Sequence, residues 1–424
     1  MGLGLGQRSG WRRVAAPPPS TAAAAGSAAS PLRRRLIELP FLVALPLVAL
    51  TYWCVDIVSP ALPEIQKSLG LSASGTGLVF SLLFLGRLLG NVPAARLVDR
   101  IGSALTAAIG GSLLTAGSFL AADAAGGALF GARVVQGVGI SMLVNAGLRS
   151  VMRAKPGQGA AMTWFSFMAT IGGVFGLQSG GYLTEAFSWR AVFALSAALA
   201  SLITVTALAA RGSAGRSTAP AIAATAAAEP APDASRAALA AALALNFAVF
   251  FNYGAFVAIP LYTEHHFAAS AKANANLLLI ITLMHLLAAF PSGRAVRRWG
   301  GPRVYIAASC VSLLAMALVL PAPGLVWLAA PMVLYGAGQA TATNAGGDVL
   351  LHLGGRGGRA VGLVRLSSDL GLVVGPYVTG ALADVWGYGT PFVVLPILTA
   401  LTIAFAWRRA GFTGRSTPIA AAVS

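Results

Sequence analysis

Long apolar runs separated by short polar connections dominate this chain. A helix that crosses the hydrocarbon core of a bilayer needs roughly 20 mostly apolar residues. Twelve segments meet this requirement, and they begin near residues 38, 74, 102, 125, 158, 189, 236, 272, 301, 324, 357 and 389. No polar stretch is long enough to build a water-soluble catalytic domain. The pattern therefore predicts an all-α membrane protein with twelve transmembrane helices.

Composition and charge support the membrane assignment. Of the 424 residues, 57% are hydrophobic and only 10% are charged, whereas about a quarter are charged in soluble domains. The net charge of +17 does not indicate nucleic-acid binding, because most Lys and Arg residues fall in connections on one predicted side of the membrane. Short cytoplasmic loops collect such residues. We expect a multi-pass protein of the cell membrane with both termini in the cytoplasm. Its expected partners are the lipid bilayer, a small-molecule substrate and a proton, and it is expected to be a monomer.

An internal repeat divides the chain into two halves. A shift of 198 positions aligns Arg96 with Arg294 and Gly102 with Gly300, and a shift of 199 aligns Gly137 with Gly336 and Glu185 with Asp384. The Ala/Pro/Ser-rich segment 211–235 reads as a flexible cytoplasmic linker. The sequence thus predicts pseudo-symmetric six-helix halves at 36–210 and 236–410. A substrate site is expected between them, near the bilayer midplane.

The chain ends carry no predicted helix. Residues 1–35 and 411–424 are interpreted as cytoplasmic tails, the first of them disordered because its composition cannot bury a core. Two alternatives remain for residues 1–32, an organellar transit peptide and a start codon placed too early. Cys54 and Cys310 lie alone in predicted helices, so we expect no disulfide, metal site or cofactor.

The charged stretch Gly90–Ser103 joins the second and third predicted helices. Its core, Arg96-Leu-Val-Asp-Arg-Ile-Gly102, resembles the loop between helices 2 and 3 of the major facilitator superfamily. The match departs from that pattern at Ala95 and at Ser103-Ala104. The resemblance implies that Arg96, Asp99, Arg100 and Gly102 latch an inner gate. It also implies the major facilitator fold over about residues 36–410.

Arg365 and Asp369 are spaced to share one face of a helix. Residues four apart are neighbours on a helix surface and can form an ion pair. Because Asp369 is expected near the start of helix 11, both residues are interpreted as part of the inner gate. A plain interfacial ion pair is the alternative.

Asp56 is the strongest candidate for transport chemistry. A charged side chain at the bilayer centre costs on the order of 2.5–3.5 kcal/mol, so such groups usually face a cavity and serve a function. Asp56 is predicted to carry a proton or to meet a cationic substrate. Since it lies late in a helix predicted over 39–60, an interfacial acid is the alternative. Its setting before Pro60-Ala-Leu-Pro63 resembles helix 1 of drug:proton antiporters within the superfamily.

Arg133 is the second candidate. The segment Arg133-Val-Val-Gln136-Gly137 resembles the helix 4 motif Arg-x-x-x-Gly of proton-coupled exporters. The resemblance implies that Arg133, with Gln136, takes part in proton transfer. An arginine that anchors the helix at the membrane interface is the alternative.

Glycines spaced four apart predict a close helix contact in each half. Gly172, Gly176 and Gly180, followed by Gly181, form a smooth face of the small-xxx-small kind. This stretch resembles helix 5 of the antiporters, with Leu177 in place of the motif's proline. Gly375-Pro376 keeps the Gly-Pro pair in the second half.

Polar and aromatic side chains in several helices are candidates for lining a substrate cavity, since mixed walls suit amphipathic organic molecules. They are Trp164, Gln178, Asn246, Asn252, Tyr253, Gln339 and Asn344.

Together these features predict a secondary active transporter of the twelve-helix drug:proton antiporter branch. The preferred function is proton-coupled efflux of small amphipathic organic molecules by alternating access. An importer or facilitator of a sugar, organic acid or nucleoside stays open as an alternative. A membrane-embedded enzyme is disfavoured because the sequence has no Asp-x-x-x-Asp cluster and no Gly-x-x-x-x-Gly-Lys-Ser/Thr loop. The chain is therefore expected not to be an enzyme.

Overall fold

The structure, a computed structural model, describes residues 38–154, 158–213, 236–354 and 358–410. These residues form fourteen α-helices and contain no strand: α1 (Phe41–Asp56), α2 (Leu62–Leu69), α3 (Ala73–Ile101), α4 (Ser103–Ala122), α5 (Ala128–Ala154), α6 (Gln158–Ala186), α7 (Trp189–Ser213), α8 (Arg236–Phe251), α9 (Ala255–Phe267), α10 (Ala271–Trp299), α11 (Gly301–Ala317), α12 (Ala329–Gly354), α13 (Gly358–Trp386) and α14 (Pro391–Ala410). The predicted tails 1–35 and 411–424 lie outside the described residues, as does most of the predicted linker, although α7 extends into its first residues.

Two helix pairs each make one span. Helices α1 and α2 form the 29-residue span Phe41–Leu69, and α8 and α9 form Leu239–Phe267. The first pair is interrupted by a short 3-10 turn at Ser59–Ala61 that carries a proline. With each pair counted once, the described part of the chain has twelve helical spans. Eight are long and apolar enough to cross a membrane by composition, and two more are shorter apolar helices. The all-α membrane fold is confirmed.

The two halves repeat the same packing. In the first half α3 and α4 pack on α5, and α1 packs on α6; in the second, α10 and α11 pack on α12, and α8 packs on α13. Between the halves α3 packs along α13, and α6 packs along α10. These two contacts form the boundary that we call the seam. The repeat in the sequence thus corresponds to a repeat in the helix packing.

Glycines allow the closest helix approaches within each half. A Cβ atom at Gly172 would lie 2.0 Å from the carbonyl oxygen of Ala49, and one at Gly180 would lie 2.0 Å from that of Ile57. The glycine face predicted for the fifth helix lies on α6, and it therefore packs against the backbone of the span Phe41–Leu69. Gly375 allows the corresponding contact in the second half. A Cβ atom there would lie 2.1 Å from the carbonyl oxygen of Phe251. Pro376 lies inside α13.

The stretch expected to be a loop between two helices is helical. Helix α3 continues through Gly90 to Ile101, and only Gly102 separates it from α4. Gly102 has φ +88°, and Gly300 between α10 and α11 has φ +83°. Both values lie in the left-handed region that favours glycine. One residue suffices for the connection because glycine reverses the chain without strain. We call the end of the molecule where α3 joins α4 the Glu38 end, and the opposite end, where α2 joins α3, the Lys67 end.

Candidate functional site

Four charged side chains lie near the middle of the seam, and two of them, Arg87 and Asp369, are in contact. Tyr52 on α1 lies within electrostatic range of Asp56, Arg87, Arg365 and Asp369. These residues come from α1, α3 and α13, so both halves contribute. Ionisable groups at membrane depth usually face a cavity and serve a function. This cluster is therefore the candidate site.

Asp56 lies where two halves and three helices meet. It is the last residue of α1, and it falls near the middle of the span Phe41–Leu69 because the span continues past Pro60. The space beside its carboxylate is made by Gly173 on α6: a Cβ atom there would lie 2.6 Å from Asp56 Oδ2 and 3.9 Å from the methyl group of Thr282 on α10. Among the described residues, the Asp56 carboxylate has no hydrogen-bond or ion-pair partner.

Arg87 and Asp369 form an ion pair across the seam. Arg87 Nε donates to Asp369 Oδ1 at 3.1 Å, Arg87 Nη2 donates to the same oxygen, and Asn91 Nδ2 donates to Oδ2. Asp369 is almost completely buried, with 1% of its side chain exposed. The pair joins α3 to α13 near the middle of both helices. The sequence pattern assigns no role to Arg87, since its partner is far away in the chain.

The spacing of Arg365 and Asp369 suggested that these two residues pair, but Asp369 bonds Arg87 and Asn91 instead. Helix α13 begins at Gly358, so Asp369 lies about three turns inside it rather than near its start. The structure therefore separates this pair from the stretch Arg96–Gly102 at the Glu38 end. The predicted latch residues do not form one cluster among the described residues.

Arg133 is enclosed within the first half. It is 1% exposed; its Nε donates to the carbonyl oxygen of Val79 at 2.8 Å, and its Nη1 donates to Gln136 Oε1 at 2.7 Å. Gln136 in turn donates to Ser118 at 2.8 Å. Arg133 Nη2 is buried and lacks a hydrogen-bond partner in the described part of the chain. The guanidinium ties α5 to α3 and has no carboxylate partner there.

Three predicted cavity residues are buried inside the second half. Asn246 donates to Ser368 Oγ at 2.8 Å, Asn252 donates to Thr399 Oγ1 at 2.9 Å, and Gln339 donates to the carbonyl oxygen of Val249 at 3.1 Å. Each amide thus joins neighbouring helices. Their sequence pattern did not distinguish a wall residue from a packing residue, because the direction of a helix face depends on tertiary contacts.

The remaining predicted cavity residues have more varied surroundings. Tyr253 is half-buried and stacks between Phe250 and Phe256, with ring centroids 5.7 and 5.5 Å away. Gln178 Nε2 is buried without a hydrogen-bond partner among the described residues. Trp164 is 41% exposed, and Asn344 donates to Ser292 Oγ at 2.6 Å.

At the Lys67 end, carboxylates of each half cap a helix of the other half. Asp384 on α13 accepts from the backbone N–H groups of Ala73 and Ser74, at 2.7 and 2.9 Å, at the start of α3. Glu185 on α6 accepts from the N–H of Lys272 at 3.3 Å, at the start of α10. Glu185 and Asp384 are equivalent in the sequence repeat. The halves are further joined by the ion pair between Lys67 and Glu264, so the seam is closed at this end.

At the Glu38 end, a charged cluster lies within the first half. Glu38 accepts from Arg149 at 3.1 Å, from Arg153 at 2.7 Å and from the Ser103 hydroxyl at 2.6 Å. Arg149 also pairs with Asp99, whereas Arg96 and Arg100 are exposed. Glu38 was not among the residues that the sequence pattern predicted to be functional. The available signal was an acid directly before an apolar run, together with two arginines four positions apart.

The sequence profile of the Major Facilitator Superfamily matches residues 44–353 and 239–422. The chain belongs to this superfamily. The apolar helices likewise indicate a multi-pass membrane protein. Among the described residues, no group of three or more His, Cys, Asp or Glu side chains is arranged to hold a metal ion.

Curated members of the superfamily resemble part of the chain. A stretch of 139 residues is 40% identical to the uncharacterized MFS-type transporter EfpA of Mycobacterium tuberculosis and covers 31% of this chain and 26% of EfpA. A stretch of 146 residues is 35% identical to the putative multidrug resistance protein MdtD of Klebsiella pneumoniae and covers 33% of this chain and 30% of MdtD. The matched parts of the chain thus span less than a third of the full length of each of these relatives.

Solved transporter structures share the fold. A bacterial homologue of the human lysosomal transporter Spinster, inward-facing and unoccupied, superposes with a TM-score of 0.69 at 16% identity, covering 90% of this chain and 98% of that one. The same homologue in its inward-facing, occupied conformation gives a TM-score of 0.67 at 15% identity, covering 88% and 95%. At this identity the likeness concerns the fold alone.

Proposed function

We propose that this superfamily member exports small amphipathic organic molecules across the plasma membrane in exchange for protons. The Glu38 end faces the cytoplasm in this proposal, because the connections there carry most of the arginines. The name of MdtD, a putative multidrug resistance protein, supports export as the direction, and its partial coverage leaves it a proposal. The seam, closed at the Lys67 end, corresponds to an inward-facing state of alternating access.

The observation that carries the proposal is the position of Asp56. Its carboxylate lies at mid-span, at the seam, without a partner among the described residues. A carboxylate in such a place is stabilised by a proton or by a cationic group, and it faces the seam, the boundary that alternating access has to open and close. In the proposed cycle Asp56 takes up a proton from outside and releases it to the cytoplasm as substrate binds.

The other predicted site residues have supporting parts in this proposal. Arg133 and Gln136 hold α5 against α3 and tune the proton exchange. Asp99, through Arg149, stabilises the Glu38 end of the first half, with Gly102 as the hinge residue between α3 and α4. The Arg87–Asp369 pair connects the halves at the level of Asp56, and it has to rearrange when the halves rock.

Proton release on substrate addition tests the proposal. Purified protein in weakly buffered detergent solution is mixed with a panel of amphipathic compounds, and the pH change is recorded beside an Asp56→Asn variant. We expect wild-type release that disappears in the variant, because an amide cannot carry the proton. Asp123→Asn is the matched control, since Asp123 is exposed at the end of α4. Binding without proton release in any of the three proteins would contradict antiport and favour uptake or facilitated diffusion.

A further inference from the structure

A groove on the outer surface of the second half runs between α11 and α14. Its volume is about 410 Å³, and its apolar lining is formed by Ile306, Cys310 and Leu313 of α11 and by Ala400, Ile403 and Ala404 of α14. Cys310, Ala400 and Ala404 are exposed. The lining of α11 covers two helical turns, so the groove is roughly 10 Å long. Because the chain is a membrane protein, this surface lies against the lipid chains.

The equivalent place in the first half is closed. There α4 packs along α7, and the hydroxyl oxygens of Thr115 and Ser201 lie 3.4 Å apart, within hydrogen-bond distance. The sequence repeat places Leu313 at the position of Thr115, with a shift of 198, and Ala400 at that of Ser201, with a shift of 199. These two side chains cannot form the bond, and both line the groove. The groove is therefore specific to the second half and is not a general result of the fold.

Arginines lie where the groove reaches the Glu38 end. Arg408, in the last turn of α14, belongs to the groove lining. Arg303 lies three residues before Ile306 on α11 and therefore on the same helix face. Both arginines are exposed, and neither forms an ion pair with a described residue. The groove thus has an apolar body and a basic end.

Positive charge predominates at this end of the second half. The exposed arginines there whose side chains the structure describes are Arg294, Arg297, Arg298, Arg303 and Arg408. Asp348 on α12 is the one acid there among the described residues, and a Cβ atom at Gly301 would lie 2.8 Å from its Oδ2. Because residues two apart do not share a helix face, Asp348 and Arg303 lie on different sides of α11. An excess of positive charge remains at the groove after Asp348 is counted.

The combination of an apolar groove and a basic end restricts what can occupy it. A second copy of the chain, bound through the same surface, would bring its own Arg303 and Arg408 to the same end, because an isologous contact pairs like patches. Like charges would then face each other in a medium that solvates them poorly. A molecule with a long apolar chain and a negative group at the membrane surface fits both parts of the groove.

We propose that the groove binds an anionic glycerophospholipid of the surrounding membrane. One acyl chain lies between α11 and α14, along Cys310 and Ala404, and the phosphate group is held by Arg408 and Arg303. Basic pockets between transmembrane helices suit such head groups, and the planar guanidinium of arginine suits the oxygens of a phosphate. The acyl chain fills the space that the contact between α4 and α7 closes in the first half. The site lies outside the seam, so its occupation does not depend on the proposed export function.

Photoreactive lipids test the proposal. The full chain is reconstituted into phosphatidylcholine vesicles that contain a trace of phosphatidylglycerol with a diazirine in one acyl chain, or of phosphatidylcholine with the same chains. After illumination, mass spectrometry measures labelling of α11 and α14 relative to α4 and α7, the equivalent surface of the first half. We expect this ratio to be at least about fivefold higher with the phosphatidylglycerol probe, which corresponds to the attraction of about one arginine at a membrane surface.

Two matched comparisons separate the basic end from the apolar groove. Arg303→Gln with Arg408→Gln should remove the preference for phosphatidylglycerol, whereas Arg294→Gln, which removes an exposed arginine of α10 at the same end, should keep it. Ala404→Phe fills the groove and should lower labelling of α11 and α14 several-fold with the phosphatidylglycerol probe. Leu401→Phe should leave that labelling unchanged, because Leu401 is exposed on α14 outside the groove.

Three results would overturn the proposal. The same labelling ratio with both probes in the wild-type protein would indicate ordinary bilayer lipid at both surfaces. Labelling of the groove that falls as the protein-to-lipid ratio rises would indicate that a second copy covers it. Both results need only the wild-type chain, so they decide the matter even if a variant fails to fold. A full preference for phosphatidylglycerol in the doubly substituted Arg303→Gln, Arg408→Gln variant would exclude these arginines as the phosphate site.

Discussion

The neighbouring glycines Gly172 and Gly173 serve different purposes. A side chain at Gly172 would collide with the backbone oxygen of Ala49, at 2.0 Å from a Cβ atom. A side chain at Gly173 would meet the end of a flexible side chain, Asp56 Oδ2, at 2.6 Å. Backbone cannot give way without separating two helices, whereas a carboxylate can rotate. One glycine therefore supports packing, and the other makes room for the candidate proton carrier.

Alanine at these two positions should affect different properties, stability at Gly172 and proton release at Gly173. We expect Gly172→Ala to destabilise the protein by about 1–3 kcal/mol, as overpacking does, and to lower its thermal midpoint. Gly173→Ala should keep the wild-type midpoint but reduce substrate-linked proton release several-fold, because the carboxylate is displaced. Thermal unfolding and the pH recording measure the two effects.

Gly131→Ala is the matched control for both substitutions. Gly131 lies in α5 with open space where its Cβ atom would be, so alanine there should change neither stability nor proton release. Wild-type proton release in Gly173→Ala would show that the position of the Asp56 carboxylate does not matter for coupling.

At the scale of helices, the N-termini of α3 and α10 form the Lys67-end closure. Both helices begin after a serine whose hydroxyl accepts from an N–H three residues later, Ser72 from Gly75 and Ser270 from Ala273. Asp384 of the opposite half accepts from the N–H groups of Ala73 and Ser74, and Glu185 accepts from the N–H of Lys272. Negative groups are favoured at helix N-termini by the helix dipole. The closure thus uses helix ends that have unpaired donors in any case.

Removing both carboxylates should open this end. In a variant with Cys54→Ala, Cys310→Ala and Thr282→Cys, a membrane-impermeant maleimide added outside intact cells reports access to the seam beside Asp56. We expect Asp384→Asn with Glu185→Gln to raise the labelling rate several-fold, since each charge-assisted bond contributes roughly 1.5–3 kcal/mol.

The same reporter with Asp123→Asn provides the comparison. Asp123 is an exposed carboxylate at the same end of the molecule, and among the described residues it makes no hydrogen bond or ion pair with the other half. Its loss should leave labelling slow. Equal labelling in the two variants would mean that general charge at this end, and not the helix caps, controls the opening.

At the scale of the whole molecule, the halves are joined along one seam, which in the proposed export cycle opens at alternate ends. The Lys67–Glu264 ion pair connects α2 with α9 at the closed end. Since Lys67 is exposed, with 61% of its side chain accessible, the pair itself contributes little to stability. Because the pair connects the two halves at the closed end, its position is suited to holding this end of the seam closed.

A cross-link at this place should stop transport reversibly. With Lys67→Cys and Glu264→Cys in a chain lacking Cys54 and Cys310, a cleavable bifunctional thiol reagent is expected to abolish uptake of substrate into inverted vesicles. Reduction of the linker should restore it, because only the rocking of the halves was blocked. Each single-cysteine variant, treated in the same way, should keep its activity. Full transport by the cross-linked protein would exclude opening of the seam at this end.

The sequence by itself determined the fold class, and its internal repeat predicted the division into halves. Bilayer thickness sets the length of an apolar helix, so the spans can be counted from hydropathy alone. The nearly constant shift between Gly137 and Gly336 and between Glu185 and Asp384 predicted two like halves. The spacing of Gly172, Gly176 and Gly180 predicted a close helix contact, since only glycine permits backbone approach at this distance.

Only the tertiary structure decided which groups meet. Asp369 pairs with Arg87, 282 positions away, although its own helix offers Arg365 one turn away. Asn246, Asn252 and Gln339 bond neighbouring helices, because the side of a helix that faces a cavity depends on how that helix is rotated in the bundle. Glu38 acquires its partners from α4 and α5. Hydropathy is a property of single segments, whereas ion pairs across the seam exist only once the two halves have packed together.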